Sequence, residues 1–459
     1  MADRFAVPFQ AFITNGAVIT SDVTGRVATA GDTVLTLSTT GGAGTFTITL
    51  GSGCTGTLTS GTATITDSPK ALAAGANTCT SNGAGNCTLN LTLGTDANWN
   101  TVNTWSATSG GVSGAAVPGA TDHIYFNANS ITAAGQTVTV DATATCLAMD
   151  WIGATNAPAF AVASNILLSI YGNATFIAAM STSAGNTSSK FDFRSQTGTQ
   201  TITTNGLTIA PMLSLYTGVN GTARTVVLAD NYASTGQIEV VDGAINTNGK
   251  TVSCSAFTDL GAARSKTLTF GASVITCASF NMSGTAPTIT ANTAIINDSG
   301  NFTGGSLNYN GLTLNLTGAT STITGSNTFN TLGLTRVGVQ TITFTDGTTQ
   351  TVTYITRDTG TALKTLQGSG AAGWALTMAG DYVYLCNASV SRLTVTPSYR
   401  LILCSGGTDG GNNTGLEIAR GGYARATAKV GGTIVEHNSS YTITGVTVAN
   451  DGGTIVDIK

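Results

Sequence analysis

Apolar and polar residues alternate through short runs along most of the chain. Thr201-Ile202-Thr203 and Thr322-Ile323-Thr324 set one apolar side chain between two threonines, and Thr33-Val34-Leu35-Thr36-Leu37 and Thr45-Phe46-Thr47-Ile48-Thr49-Leu50 extend the same rhythm. A period of two sends successive side chains to opposite faces of a strand. Nothing resembles an apolar stripe at 3.6-residue spacing with helix caps. Between the runs stand Gly- and Asn-rich punctuation marks, and Asn-Gly supplies the positive φ angles that sharp corners require. The pattern predicts an all-β protein.

The runs also repeat. Gly431-Gly432-Thr433-Ile434-Val435 recurs as Gly452-Gly453-Thr454-Ile455-Val456, a displacement of 21 residues. Asn205-Gly206-Leu207-Thr208, Asn248-Gly249-Lys250-Thr251 and Asn310-Gly311-Leu312-Thr313 are separated by 43 and 62, near two and three times 21. Cys146-x-x-Met149, Cys254-x-x-Phe257 and Cys277-x-x-Phe280 form a third family, continued more weakly by Ser299-x-x-Phe302 and Ser326-x-x-Phe329. From Phe257 the aromatic steps are 23, 22 and 27. A repeat of 21–27 residues fits one coil of a parallel β-solenoid, in which equivalent side chains stack as internal ladders.

Three regions follow. Residues 1–95, with turns about every ten residues, read as a small β-sandwich-like attachment domain. Residues 96–345 read as the solenoid, and 346–459 as a β-rich module ending in solenoid-like coils. That last region gathers the larger polar side chains, among them Arg357, Lys364, Arg392 and Arg425.

Composition narrows the function. Charged residues are 9% of 459 positions, against about 25% in ordinary domains. Only three glutamates occur, Glu239, Glu417 and Glu436, too few for long surface helices. A net charge of -4 without a basic run excludes an electrostatic footprint for nucleic acid. No apolar run is long enough for a membrane helix, so membrane insertion is not expected. The opening Met1-Ala2-Asp3-Arg4 lacks the pattern of a secretory signal, which points to assembly in a cytoplasm. Mostly free thiols are expected there. Cys146, Cys254 and Cys277 read as buried members of a stacked column, while Cys79–Cys87 and Cys386–Cys404 are possible bridges and the state of Cys54 is open.

Candidate chemistry is sparse. His123 and His437 have no partners at metal-ligand spacing, so neither a metal nor another cofactor is expected. No nucleophile elbow, Walker loop or dinucleotide fingerprint is present. If the chain cleaved polysaccharides, its acid and base would come from Asp230, Glu239 and Asp242, which lie within 13 residues, with Tyr232 available to stack on a sugar. For binding without catalysis the candidates are Trp374, Tyr382, Tyr384, Tyr399 and Arg400, residue types enriched at hot spots.

One stretch has a familiar look. Asn98-Trp99 through Trp105-Ser106, followed by Val117-Pro118-Gly119-Ala120-Thr121-Asp122-His123-Ile124-Tyr125-Phe126, resembles the Trp…Trp…Pro-x-x-x-Asp opening of phage tail-fibre and adhesin-like β-solenoid proteins and of autotransporter-type passenger domains. Asp409-Gly410-Gly411-Asn412-Asn413-Thr414-Gly415 resembles the Asn-Asn-Thr-Gly ending of such phage proteins, although Leu416 stands where Trp usually follows. The resemblance implies a virion structural protein of a tail fibre or spike, a homotrimer assembled in the host cytoplasm with other virion proteins, which touches a host surface glycan or protein. A tailspike polysaccharide depolymerase is the alternative, then a head decoration protein or a bacterial surface adhesin.

Overall fold

The computed structural model describes residues 98–418 with their side chains, apart from 102–103, 111–113, 132–133, 195–197, 217–223, 261–263, 285–286 and 405, and outside that range the Arg4 side chain and the backbone of several strands. Among the described residues the repetitive elements are strands, and parallel sheets stack into a β-solenoid of about 12 turns. Thr137 pairs with Ala159 and Ala159 with Ser181, steps of 22 residues. Val274 pairs with Ile295 and Ile295 with Thr313, steps of 21 and 18, and Thr349 pairs with Ala375, a step of 26. The coils therefore extend below the 21–27 expected from the repeats. Parallel pairing also runs past residue 345, through Lys364–Gly368, Ala388–Ser391 and Leu401–Leu403, to Glu417–Ile418.

Inside the coils the apolar half of each alternating strand forms columns. Phe257, Phe280 and Phe302 lie in register, with ring centroids 5.5 and 5.2 Å apart. The column then continues through Ile323 and Phe344. Phe329, expected as the next rung, comes from the strand Thr328–Leu334 on another wall and meets Phe302 edge-on at 5.4 Å. The two tryptophans of the opening motif also belong to the core. Trp99 and Trp105 are completely buried, pack edge to face at 4.8 Å, and are tied by Trp105 Nε1 donating to Trp99 O at 2.7 Å. With Phe126, Trp151 and Phe160 they fill the first coils. The strand Ala2–Ala6 pairs in parallel with Asp122–Asn127 at this end of the solenoid.

The thiol column is only partly as expected. Cys254 stacks over Cys277, because Val252 pairs with Ile275 and Ser253 with Thr276. Cys146 pairs with Ile170 on a different wall. All three are free and buried; burial pushes the Cys254 thiol up to about 12 and the other two higher still. Cys386 and Cys404 form a disulfide between successive coils. The side chains of Cys54, Cys79 and Cys87 lie outside the described residues.

Corners follow the Asn-Gly prediction. Asn205 and Asn248 have φ of 51° and 54°, and Gly206 and Gly249 follow at 86° and 69°. At the third member only the glycine is left-handed, Gly311 at 89°, and a Cβ there would sit 2.0 Å from Asn292 O in the coil below. Asparagine amides join the coils as well: Asn173, Asn231 and Asn301 each accept the backbone N–H of a residue one coil on, Thr201, Thr251 and Thr322. Amides thus supply the polar links that charged chains would otherwise make.

The flanks are antiparallel. Residues 1–95 contain a four-strand sheet, Ile19–Ser21, Phe46–Leu50, Cys54–Thr59 and Thr62–Thr66, and a three-strand sheet, Val34–Ser38, Asn86–Asn90 and Thr78–Ser81. Near the C-terminus Thr427–Val430 pairs antiparallel with Thr433–Glu436. The Thr433-Ile434-Val435 part of the repeat therefore lies in an antiparallel strand rather than a parallel coil, and Gly431, Gly432 and the second copy at 452–456 lie outside the described residues.

Candidate functional site

The three carboxylates suggested for glycan cleavage separate into two environments. Asp230 sits at a corner and accepts the backbone N–H groups of Thr204, at 2.9 Å, and Asn205. It is a cap for the Asn205-Gly206 turn. Glu239 and Asp242 share the strand Ile238–Asn246; Glu239 faces outward between the inward Ile238 and Val240, and a register shift that skips Val241 brings Asp242 to the same face, opposite Tyr216. Tyr232 is buried, 2% exposed, and offers no surface to a sugar.

Around Glu239 and Asp242 the outer face carries a charged patch that spans successive coils. On Lys190–Phe193 the two phenylalanines enter the core, so Lys190 and Asp192 project outward, with Arg194 just beyond the strand. Register places Ser214 beside Asp192, Glu239 beside Ser214, and Thr258 beside Glu239. Lys190 Nζ reaches Glu239 Oε2 at 2.9 Å, Arg264 Nη1 reaches Asp242 Oδ2 at 2.9 Å, and Arg194 pairs with Asp192. Tyr216 lies between the two guanidinium groups, each 4.8 Å from its ring centroid. Three anions are thereby matched by three cations. Glu239 and Asp242 are 6% and 7% exposed and each is held by a cation, whereas a glycosidase needs a carboxylic acid and a carboxylate open to the glycosidic bond. The patch fastens coils together.

Of the suggested binding residues, four share one region and one does not. Trp374 is a core residue, 3% exposed and stacked on Phe344 at 3.6 Å, because it opens a strand whose alternate positions face inward. Val383–Leu385 and Leu401–Leu403 are neighbouring parallel strands, with Tyr384 opposite Ile402. Tyr384 and Tyr399 are exposed, and Arg400 lies 5.1 Å from the ring centroid of Tyr382 while donating to Gly380 O at 3.0 Å. Tyr354, on Thr349–Arg357, is an exposed tyrosine that the sequence reading did not single out. Strict alternation would turn it inward with Gln350 and Val352; the buried phase instead shifts to Ile355, and no local signal marks that shift.

His123 is half-buried in Asp122–Asn127 with its ring 6.2 Å from Tyr125. Among the described residues no three His, Cys, Asp or Glu side chains come together as metal ligands, and His437 lies outside them. The Asp409–Gly415 motif is a corner. Asn413 Nδ2 donates to Val390 O at 2.7 Å and its Oδ1 accepts from Leu393 N at 2.9 Å, binding this coil to the previous one. Comparison with protein-family models, with curated proteins and with solved structures finds no match.

Proposed function

We propose that the chain is a structural protein of a bacteriophage virion, a tail fibre or spike that contributes to attachment at a host surface without cleaving it. The β-solenoid fold is compatible with tail-fibre and tailspike proteins. Stacked coils satisfy backbone hydrogen bonds along a stiff body, which suits a projection. The observation that carries the non-catalytic reading is the neutralisation of Glu239 by Lys190 and of Asp242 by Arg264 on the outer face. Contact with a host glycan or protein is assigned to the region of Tyr382, Tyr384, Tyr399 and Arg400, where amphipathic rings are presented at low entropic cost. The assembly is a homotrimer held among other virion proteins.

Sedimentation equilibrium of the purified full chain, followed by immunogold imaging of phage particles with an antibody to it, tests this reading. A trimer located on a projecting fibre is the expected result. A stable monomer absent from particles overturns it. Release of reducing ends from capsular or lipopolysaccharide glycans, lost in Asp242→Asn, would replace it with the depolymerase.

A further inference from the structure

Two thiols and a carboxyl occupy one buried position on three successive coils. Thr251 pairs with Val274, Val252 with Ile275 and Ser253 with Thr276, and Cys254 N donates to Thr276 O at 3.0 Å, which carries the ladder on to Cys277. Cys277 in turn pairs with Asp298. Both cysteines are free and buried. Each is followed by an exposed corner residue, Ser255 and Ala278, so the pair of thiols lies one residue below solvent.

Cys386 and Cys404 stand in the same relation, directly after the paired Leu385 and Leu403, and they are bonded, with Cα atoms 4.4 Å apart. The interior pair is not bonded. In-register side chains of neighbouring strands lie about 4.7–4.9 Å apart. That is wider than the Cβ separation of about 3.5–4.5 Å at which a disulfide closes. A linear sulfur–metal–sulfur unit with bonds of about 2.3 Å spans about 4.6 Å and fits with the backbone at rest. The polar neighbours are already committed. Asp298 accepts the N–H groups of Gly300 at 2.9 Å and Phe280 at 3.2 Å, one on each oxygen, and Ser234, at the same position one coil earlier, donates to Ile209 O at 2.8 Å. Cys146 faces Ile170 and has no second thiol across its ladder.

We propose that Cys254 and Cys277 bind one monovalent soft cation, Cu(I) or Ag(I), between them as a two-coordinate dithiolate. Thiolate sulfur selects soft metals. Zinc takes four ligands, and this site offers two. Ligation breaks the two S–H bonds, forms two sulfur–metal bonds and releases two protons to solvent. The metal keeps its oxidation state, so no oxidant or reductant enters the balance. The single negative charge of the dithiolate lies next to the corner, where the displaced protons leave. The ion would clasp two coils in the interior as the disulfide does at Cys386 and Cys404, without requiring oxidation.

Silver(I) is the probe, because it needs no reductant that would open the disulfide. In calorimetric titrations of the full chain, Cys254→Ala and Cys277→Ala should each lose the same single tight equivalent. The double variant should lose no more than either, and Cys146→Ala should keep that equivalent. Losses that add in the double variant mark two independent thiols and overturn the proposal, as does binding that neither substitution weakens. The wild-type chain gives a second reading that does not depend on the variants folding. One equivalent of silver(I) should slow hydrogen exchange about tenfold or more in Thr251–Ser253 and Val274–Cys277 together. Exchange unchanged in both strands overturns the proposal.

Discussion

Phe280→Ala removes the middle rung of the aromatic column. The ring has no exposed surface and lies 5.5 Å from Phe257, 5.2 Å from Phe302, 6.3 Å from Phe270 and 6.2 Å from Tyr309. Loss of burial accounts for up to about 3 kcal/mol. The cavity adds to this, for a total of about 3–5 kcal/mol in a well-packed core. The upper half of that range applies, about 4–5 kcal/mol, for two reasons. The neighbouring rings are anchored in parallel strands that pair with Phe280's own strand on both sides, so they cannot collapse into the space. Two stacked partners are also lost, each worth about 0.5–1.5 kcal/mol beyond area. Because coils interact mainly with their neighbours, the damage should be local. Hydrogen exchange read by mass spectrometry should show lost protection in strands from Phe257 to Thr303 and little change in Thr137–Val140 or Leu167–Ile170. A loss below about 1 kcal/mol, or an equal loss over all coils, would refute the idea of a stacked column with local cooperativity.

Other substitutions probe different causes. Gly311→Ala combines φ of 89° with a Cβ 2.0 Å from Asn292 O and should cost well over 1 kcal/mol, whereas Gly206→Ala, at φ 86° with nothing within 4 Å, should cost only about 1 kcal/mol; equal denaturation midpoints would contradict this. Replacing Cys386 and Cys404 by serine opens a link across 18 residues and should cost about 3 kcal/mol, seen as faster exchange in Val383–Leu385 and Leu401–Leu403; exchange unchanged from wild type would count against it. Burial raises the Asp298 carboxyl above its ordinary value, outweighing the N–H groups of Gly300 and Phe280 that it accepts. A raised carboxyl favours the fold at low pH, and that contribution is withdrawn as pH rises through the folded value. From about pH 4 upward wild type should therefore lose stability relative to Asp298→Asn, and parallel pH profiles of the two would show the reasoning to be wrong.

The solenoid was legible because a coil must recur. Alternating threonine and isoleucine, Asn-Gly corners and the spacing of Phe257, Phe280 and Phe302 are local signals repeated at coil length. Parallel pairing continues past residue 345, where the sequence shows an accumulation of larger polar residues. Several of them belong to coils that continue: Arg400 covers Tyr382, Arg357 reaches the neighbouring Asp358, and Lys364 points inward. Thr433-Ile434-Val435 pairs antiparallel with Thr427–Val430 and not with a neighbouring coil, because alternating β-residues serve either kind of sheet equally well. The displacement of 21 residues could not decide between them.

The amino-acid pattern alone fixed the class of structure and the interior, since burial selects every second residue and stacking makes the selection periodic. It could not say which charges meet. Glu239 finds Lys190, 49 positions earlier, because two coils of parallel register bring them to one face. Trp374 entered the core and Tyr384 stayed outside through the parity of their strands. The low charge content reflects asparagine and threonine linking coil to coil. Tertiary register joins Lys190 to Glu239 and Arg264 to Asp242 across coils, and only the folded arrangement shows that these outward carboxylates are already bound.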